Sequence, residues 1–113
     1  MAMTEVQFGD IGAVFEVTVE NEDGIIDVST ASTKKIIFRK SDGTTLIKTA
    51  SFASDGTDGI IKYVSQEDDI DTLGIWEYQS YTIIGSEKLY GRIFKFRVLR
   101  NTTEEPIPID NPP

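Results

Sequence analysis

The chain predicts an all-β fold, a single sandwich of about seven short strands followed by an extended tail. Three observations carry this. Apolar and polar residues alternate with period two along most of the chain, which is the pattern of half-buried strands. Four Asp-Gly dipeptides (Asp23-Gly24, Asp42-Gly43, Asp55-Gly56 and Asp58-Gly59) punctuate the sequence. Residues 1–100 contain no proline, whereas all four prolines fall in "NTTEEPIPIDNPP", residues 101–113. Because proline cannot donate to a ladder, that division separates a sheet domain, 1–100, from an acidic, proline-rich segment, 101–113.

Taken in order, "TEVQF" offers a short first strand. "AVFEVTVE" places Phe15, Val17 and Val19 on one face and Glu16, Thr18 and Glu20 on the other. "KKIIFRK" is a β-branched and aromatic run with charged flanks, and "TLIKTASF" follows it after the Ser41-Asp42-Gly43 turn. Glycine accepts positive φ without cost and aspartate can bond its own nearby backbone, so Asp-Gly at these points reads as turn chemistry. "GIIKYV" comes after Asp58-Gly59. "IWEYQSYTII" sets Trp76, Tyr78 and Ser80 against Glu77, Gln79 and Tyr81, and "RIFKFRVL" turns Phe94, Phe96 and Val98 inward and Lys95 and Arg97 outward. "SQEDDIDTLG", residues 65–74, is the one helical candidate, a single turn with Ser65 as cap, and it reads as a crossover between sheets. The expected core is Phe15, Val17, Val19, Ile37, Trp76, Tyr78, Phe94, Phe96 and Val98.

Composition excludes several kinds of chemistry. The 113 residues contain neither cysteine nor histidine. That removes disulfides, thiolate nucleophiles, imidazole metal sites and the Ser-His-Asp arrangement, and it fits a reducing compartment. Eleven Lys and Arg against 19 Asp and Glu give a net charge of −8, so the basic footprint of a nucleic-acid or anionic-membrane binder is missing. No apolar run approaches the roughly 20 residues of a membrane span, and "MAMTEVQFGD" has neither the basic nor the apolar region of a secretion signal.

Candidate sites are correspondingly few. "DGTDG" and "EDDID" cluster carboxylates, but neither has the spacing of a calcium loop. Nothing marks out a pair of acids for glycoside hydrolysis, and no phosphate-binding glycine loop is present. Asn101-Thr102-Thr103 fits a glycosylation sequon only by coincidence. Among the aromatics, Trp76 and Tyr78 read as core, while Tyr81 and Tyr90 are the pair expected at the surface, where aromatic side chains can stack on a ligand. The expectation is therefore no catalytic, metal-binding or cofactor-binding residue and no cofactor.

The order of "VFEVTVENEDGIIDVSTASTKKIIFRKSDGTTL", "SDGTDGIIKYV", "DDIDTLGIWEYQSY" and "IFKFRVLRN" resembles the immunoglobulin-like domain at the N-terminus of bacteriophage baseplate upper proteins, also met as small phage tail or virion proteins. The likeness spans about residues 8–101. Its markers are Asp23-Gly24, Asp27-Val28-Ser29, Phe38-Arg39-Lys40 before Asp42-Gly43, Gly74 with Trp76, and Phe96 with Val98; Ser41 stands where the family often has proline. The resemblance implies an immunoglobulin-like sandwich and a non-enzymatic structural protein of the virion, in tail or baseplate. Capsid decoration and a carbohydrate-binding module for host attachment are the alternatives. It further implies that the chain docks onto other virion proteins in many copies, as a homo-oligomer or on a symmetric particle, with no nucleic acid or membrane. The proline-rich segment reads as a docking arm, with Ile107 and Ile109 as apolar anchors held by Pro106 and Pro108.

Overall fold

The computed structural model describes residues 4–100, and every described element is a strand. In chain order these are β1 (Thr4–Gln7), β2 (Val14–Thr18), β3 (Glu20–Asn21), β4 (Gly24–Ile25), β5 (Thr33–Arg39), β6 (Thr45–Thr49), β7 (Ser51–Phe52), β8 (Ile60–Val64), β9 (Gly74–Ile84), β10 (Glu87–Tyr90) and β11 (Phe94–Leu99). The larger sheet runs β1-β11-β9-β5-β6, with β10 also paired to β9. The smaller runs β2-β8-β7, and β3 and β4 form a separate hairpin. All pairs are antiparallel except β1 with β11.

The two sheets face each other across an aromatic core, as the sequence predicts for a sandwich. Phe15 of β2 meets Phe38 of β5 and Phe96 of β11, with ring centroids 5.1 and 4.8 Å apart. Such tilted and edge-on pairs add roughly 0.5–1.5 kcal/mol each beyond the area they bury. Trp76 is fully buried, and its indole N–H donates to the Thr72 carbonyl at 2.8 Å, so the ring enters the core without an unpaired donor. Phe15, Val17, Val19, Trp76, Phe96 and Val98 are core residues as expected, while Tyr78 and Phe94 are half-buried against that core. Ile37 is a correction. The buried residue is Ile36, and Ile37 points to the opposite, solvent face. In "KKIIFRK" two adjacent isoleucines satisfy either parity, and only the pairing register decides between them.

The turns form as the dipeptides predict. Gly24, Gly43, Gly56 and Gly59 all have positive φ. Residues 65–73 cross between the sheets without a helix, with Asp68 in a left-handed conformation. Ser65 caps no helix. Its buried hydroxyl accepts from Ala13 N–H and donates to the Asp10 carbonyl, both at 3.0 Å, tying the crossover to the start of β2.

Three features escape the sequence reading. The run "TLIKTASF" is two strands: β6 belongs to the large sheet and β7 to the small one, and the chain changes sheets at buried Ala50. The hairpin of β3 and β4 is extra. So is β10, which pairs with the far half of β9 before the chain breaks at Gly91 and resumes as β11 along the near half. At the break Gly91 donates to the Ser80 carbonyl, and a side chain on Gly91 would collide with the Ser80 hydroxyl.

Candidate functional site

The acidic turns are the first place to look for chemistry, and the carboxylates of Asp27, Asp42, Asp55 and Asp58 are engaged within their own loops. Asp42 accepts the backbone N–H of Thr44 at 3.0 Å and its hydroxyl at 2.7 Å. Asp55 does the same with Thr57, at 3.0 and 2.7 Å. Asp27 accepts from the N–H and hydroxyl of Ser29, at 2.9 and 2.6 Å. Asp58 accepts from Ile60 N–H and from the Ser54 hydroxyl. The side-chain hydrogen bond, followed by the backbone one, holds the carboxyls of Asp27, Asp42 and Asp55 below the usual aspartate value. Among the described residues no three Asp or Glu gather into a metal-holding group. The chain offers no imidazole or thiolate to a softer metal.

The buried polar groups are structural in their geometry. Asp69 lies beneath the crossover, where it accepts from the Tyr63 hydroxyl and from Gln66 N–H and pairs with Lys48 at 3.3 Å. Burial, reinforced by the bond to Asp69, pushes the Tyr63 hydroxyl far above the ordinary phenol value, and burial alone raises Tyr78. Lys40 pairs with Asp71 at 2.9 Å and lies over the Trp76 ring, 5.6 Å from its centroid. These contacts brace the crossover.

The outer face of the large sheet is different. Strand register arranges its side chains in rows across the sheet. Thr45, Arg39, Glu77 and Lys95 make one row. Ile47, Ile37 and Gln79 make the next, and Thr49, Lys35, Tyr81 and Tyr90 the third. Ile47 and Tyr90 are 56% and 64% exposed, and Ile93, in the break between β10 and β11, is 53% exposed. The rings of Tyr81 and Tyr90 pack at 5.0 Å. Three shallow depressions of about 390, 210 and 280 Å³ lie along these rows. The first and second share Arg39 and Glu77, and the second and third share Ile37, so they form one continuous groove.

The charge of this face runs against that of the chain. Its strand positions carry Lys35, Arg39, Lys88, Lys95 and Arg97 against Glu5 and Glu77, in a molecule whose totals are 11 cations and 19 acids. Of these, Arg97 lies 3.9 Å from Glu5, while Lys35, Arg39 and Lys95 have no carboxylate within 4.0 Å among the described residues. An apolar strip rimmed by free cations is an unusual surface for an acidic domain.

Tyr81 and Tyr90 therefore stand where the sequence places them, side by side at the surface. Pro106, Ile107, Pro108 and Ile109 lie outside the described residues. The sequence reading misses Ile37, Ile47 and Ile93 as groove residues. The available signal is the parity of "KKIIFRK" and "TLIKT", in which an isoleucine occupies the central outward register position of each strand.

No protein-family model and no curated protein sequence matches the chain. Among solved structures the chain is similar to CopC from Methylosinus trichosporium OB3b, with a TM-score of 0.54 and 12% sequence identity over 89% of this chain and 87% of that one. At that identity the likeness carries the fold alone, and it makes the architecture an immunoglobulin-like β-sandwich. It also corrects the functional expectation. The structural neighbour is not a phage protein, and it points away from a structural role in the virion, in tail, baseplate or capsid.

Proposed function

We propose that this domain is a non-catalytic docking module that binds an extended, acidic and partly apolar segment of a protein along the outer face of its large sheet. The observation that carries this reading is the continuous groove. Its lining holds Arg39 and Lys95 towards one end and Lys35 towards the other, with Ile37, Ile47, Tyr81 and Tyr90 among them. Tyrosine-lined grooves suit extended proline-containing chains, which are already ordered in the conformation they adopt when bound. Desolvated aliphatic contacts would supply the affinity, and Lys35, Arg39 and Lys95 the selection for acidic partners.

The test uses synthetic peptides in which acidic residues precede alternating proline and isoleucine, beside counterparts with lysine in place of the acids. Titration into the ¹⁵N-labelled full chain is expected to move the amide signals of Ile37, Tyr81 and Tyr90. Binding should weaken with added salt and fail for the lysine counterparts and for the Ile47→Glu variant. Acidic and basic peptides binding alike, or shifts confined to another surface, would overturn the reading.

A further inference from the structure

We infer that the open edge of β6 is a self-pairing surface, on which a second copy of this chain adds its own β6 antiparallel about a two-fold axis at Ile47. The inference goes beyond the docking reading and stands without it. Three features support it: the phase of the β5–β6 ladder, the absence of charge along this edge, and the symmetry of "TLIKT".

β6 closes one side of the large sheet and has β5 as its one strand neighbour among the described residues. The bonds at the two ends of this pair fix which backbone groups of β6 it uses. Lys40 N–H donates to the Thr44 carbonyl at 2.8 Å, and Ala50 N–H to the Lys34 carbonyl at 2.9 Å. Antiparallel residues alternate between bonded and non-bonded pairs. Leu46 and Lys48, opposite Phe38 and Ile36, therefore turn their backbone groups towards β5, while Thr45, Ile47 and Thr49 turn theirs outwards. Those three residues are exposed, and no backbone partner meets their outward groups among the described residues.

Sheet edges are ordinarily guarded by charge, proline, a bulge or brevity. The other edges here follow that rule. In β2 the bonds from Ser65 N–H to the Ala13 carbonyl and from Val19 N–H to the Gly59 carbonyl turn Val14, Glu16 and Thr18 to the open side. A second copy there would bring Glu16 against Glu16. β1 carries Glu5, β10 carries Glu87 and Lys88, and β7 is two residues long. The one charge of β6, Lys48, belongs to the bonded set, and its ammonium lies 3.3 Å from the Asp69 carboxylate.

A two-fold axis at Ile47 places Ile47 opposite Ile47, and each Thr45 opposite Thr49 of the second copy. Pairs of that kind along the strand exchange about six main-chain hydrogen bonds. No like charges stand opposite each other. Ile47, 56% exposed, covers its counterpart, and the row of Ile37 and Ile47 continues into the same row of the second copy. Arg39 and the second copy's Lys35 share a row, but three strand spacings, roughly 14 Å, separate them. That exceeds the screening length of about 8 Å at physiological salt. An edge of five residues buries less than the roughly 1,200 Å² of a standard interface, so the pairing depends on concentration.

The test follows the mass of the full chain by sedimentation equilibrium from micromolar to millimolar concentration. The mass is expected to approach that of a dimer as the protein is concentrated, while the amide protons of Thr45, Ile47 and Thr49 gain protection from exchange. T45K/T49K alters only exposed side chains and should leave the protein monomeric, because it sets like charges opposite each other. T45E/T49K should dimerise at about tenfold lower concentration than the wild type, because opposite charges then face each other twice. I47P removes the central outward N–H and should abolish pairing, with unchanged amide signals of Val17 and Ile61 showing that it folds. A monomer at every concentration overturns the inference, as does a dimer of equal strength in T45K/T49K and T45E/T49K. Association that weakens with added salt and ignores both double variants assigns the contact to the groove of one copy and the acids of another, and overturns the edge pairing.

Discussion

The two faces of the large sheet are cut from the same strands, yet they solve different problems. On the inner face β5 and β9 present Ile36, Phe38, Trp76 and Tyr78, which meet Phe15 and Tyr63 from the opposite sheet. One residue along each strand, the outer face presents Ile37, Arg39, Gln79 and Tyr81, which meet no second layer among the described residues. A strand needs an apolar residue only at alternate positions to build the core. Apolar residues at the intervening positions of β5, β6, β9 and β10 contribute little to folding and must be accounted for otherwise. The docking proposed for this face would account for them, and it would use the parity that folding leaves free.

The largest expected effect is on the inner face. Trp76→Ala removes a fully buried indole at the centre of the aromatic cluster and should destabilise the domain by about 3–5 kcal/mol in urea unfolding. It also leaves the Thr72 carbonyl without its donor. A loss below about 1 kcal/mol would mean that the ring is not packed between the sheets, and the contrast between the faces would collapse.

The adjacent isoleucines make the sharpest test, because they differ in little except parity. Ile36→Ala should cost about 2–5 kcal/mol, as large-to-small changes in a filled core do. Ile37→Ala should fall within about 1 kcal/mol, as surface changes do, while weakening peptide binding in the groove. Equal costs at the two positions would mean that the register assigned to β5 is wrong.

The same pair shows how much of the molecule was legible in its sequence. Where alternation was clean, as in "AVFEVTVE" and "RIFKFRVL", the inward residues could be read directly, because only one phase of the pattern puts apolar side chains together. Where both phases were apolar, as at Ile36-Ile37, the phase was ambiguous and Ile37 was placed in the core. That ambiguity was itself the trace of the groove. The Asp-Gly turns were legible because their chemistry is local. The sheet change at Ala50 was not, since nothing in "TLIKTASF" distinguishes a strand that continues from one that crosses to the other layer. Tyr81 and Tyr90 could be placed at the surface, but their row-mates could not. Rows are made of residues distant in sequence, and register is fixed only once all the strands have paired. The floor of the groove therefore appears only in the folded molecule.

The smallest expected effect concerns the turn that sets this parity. Asp42 closes the connection from β5 to β6 by accepting from Thr44, while Lys40 N–H bonds the Thr44 carbonyl at 2.8 Å. Together these bonds fix which residue of β6 stands beside Ile37. Hydrogen bonding holds the folded carboxyls of Asp42, Asp27 and Asp55 below the ordinary value of about 3.9 that applies in the unfolded chain. A depressed folded pKa stabilises the native state above the unfolded value, and that contribution is lost as the pH falls through the folded one. Thermal unfolding of the wild type should therefore decline more steeply below about pH 4 than that of the D27N/D42N/D55N variant. The asparagines keep an acceptor oxygen but have no charge to titrate. The three carboxylates are solvent-exposed, so the gap between the two curves should be modest. Parallel curves through this range would show that the turns hold by shape alone, and that the parity of β5 and β6 owes nothing to the charge on Asp42.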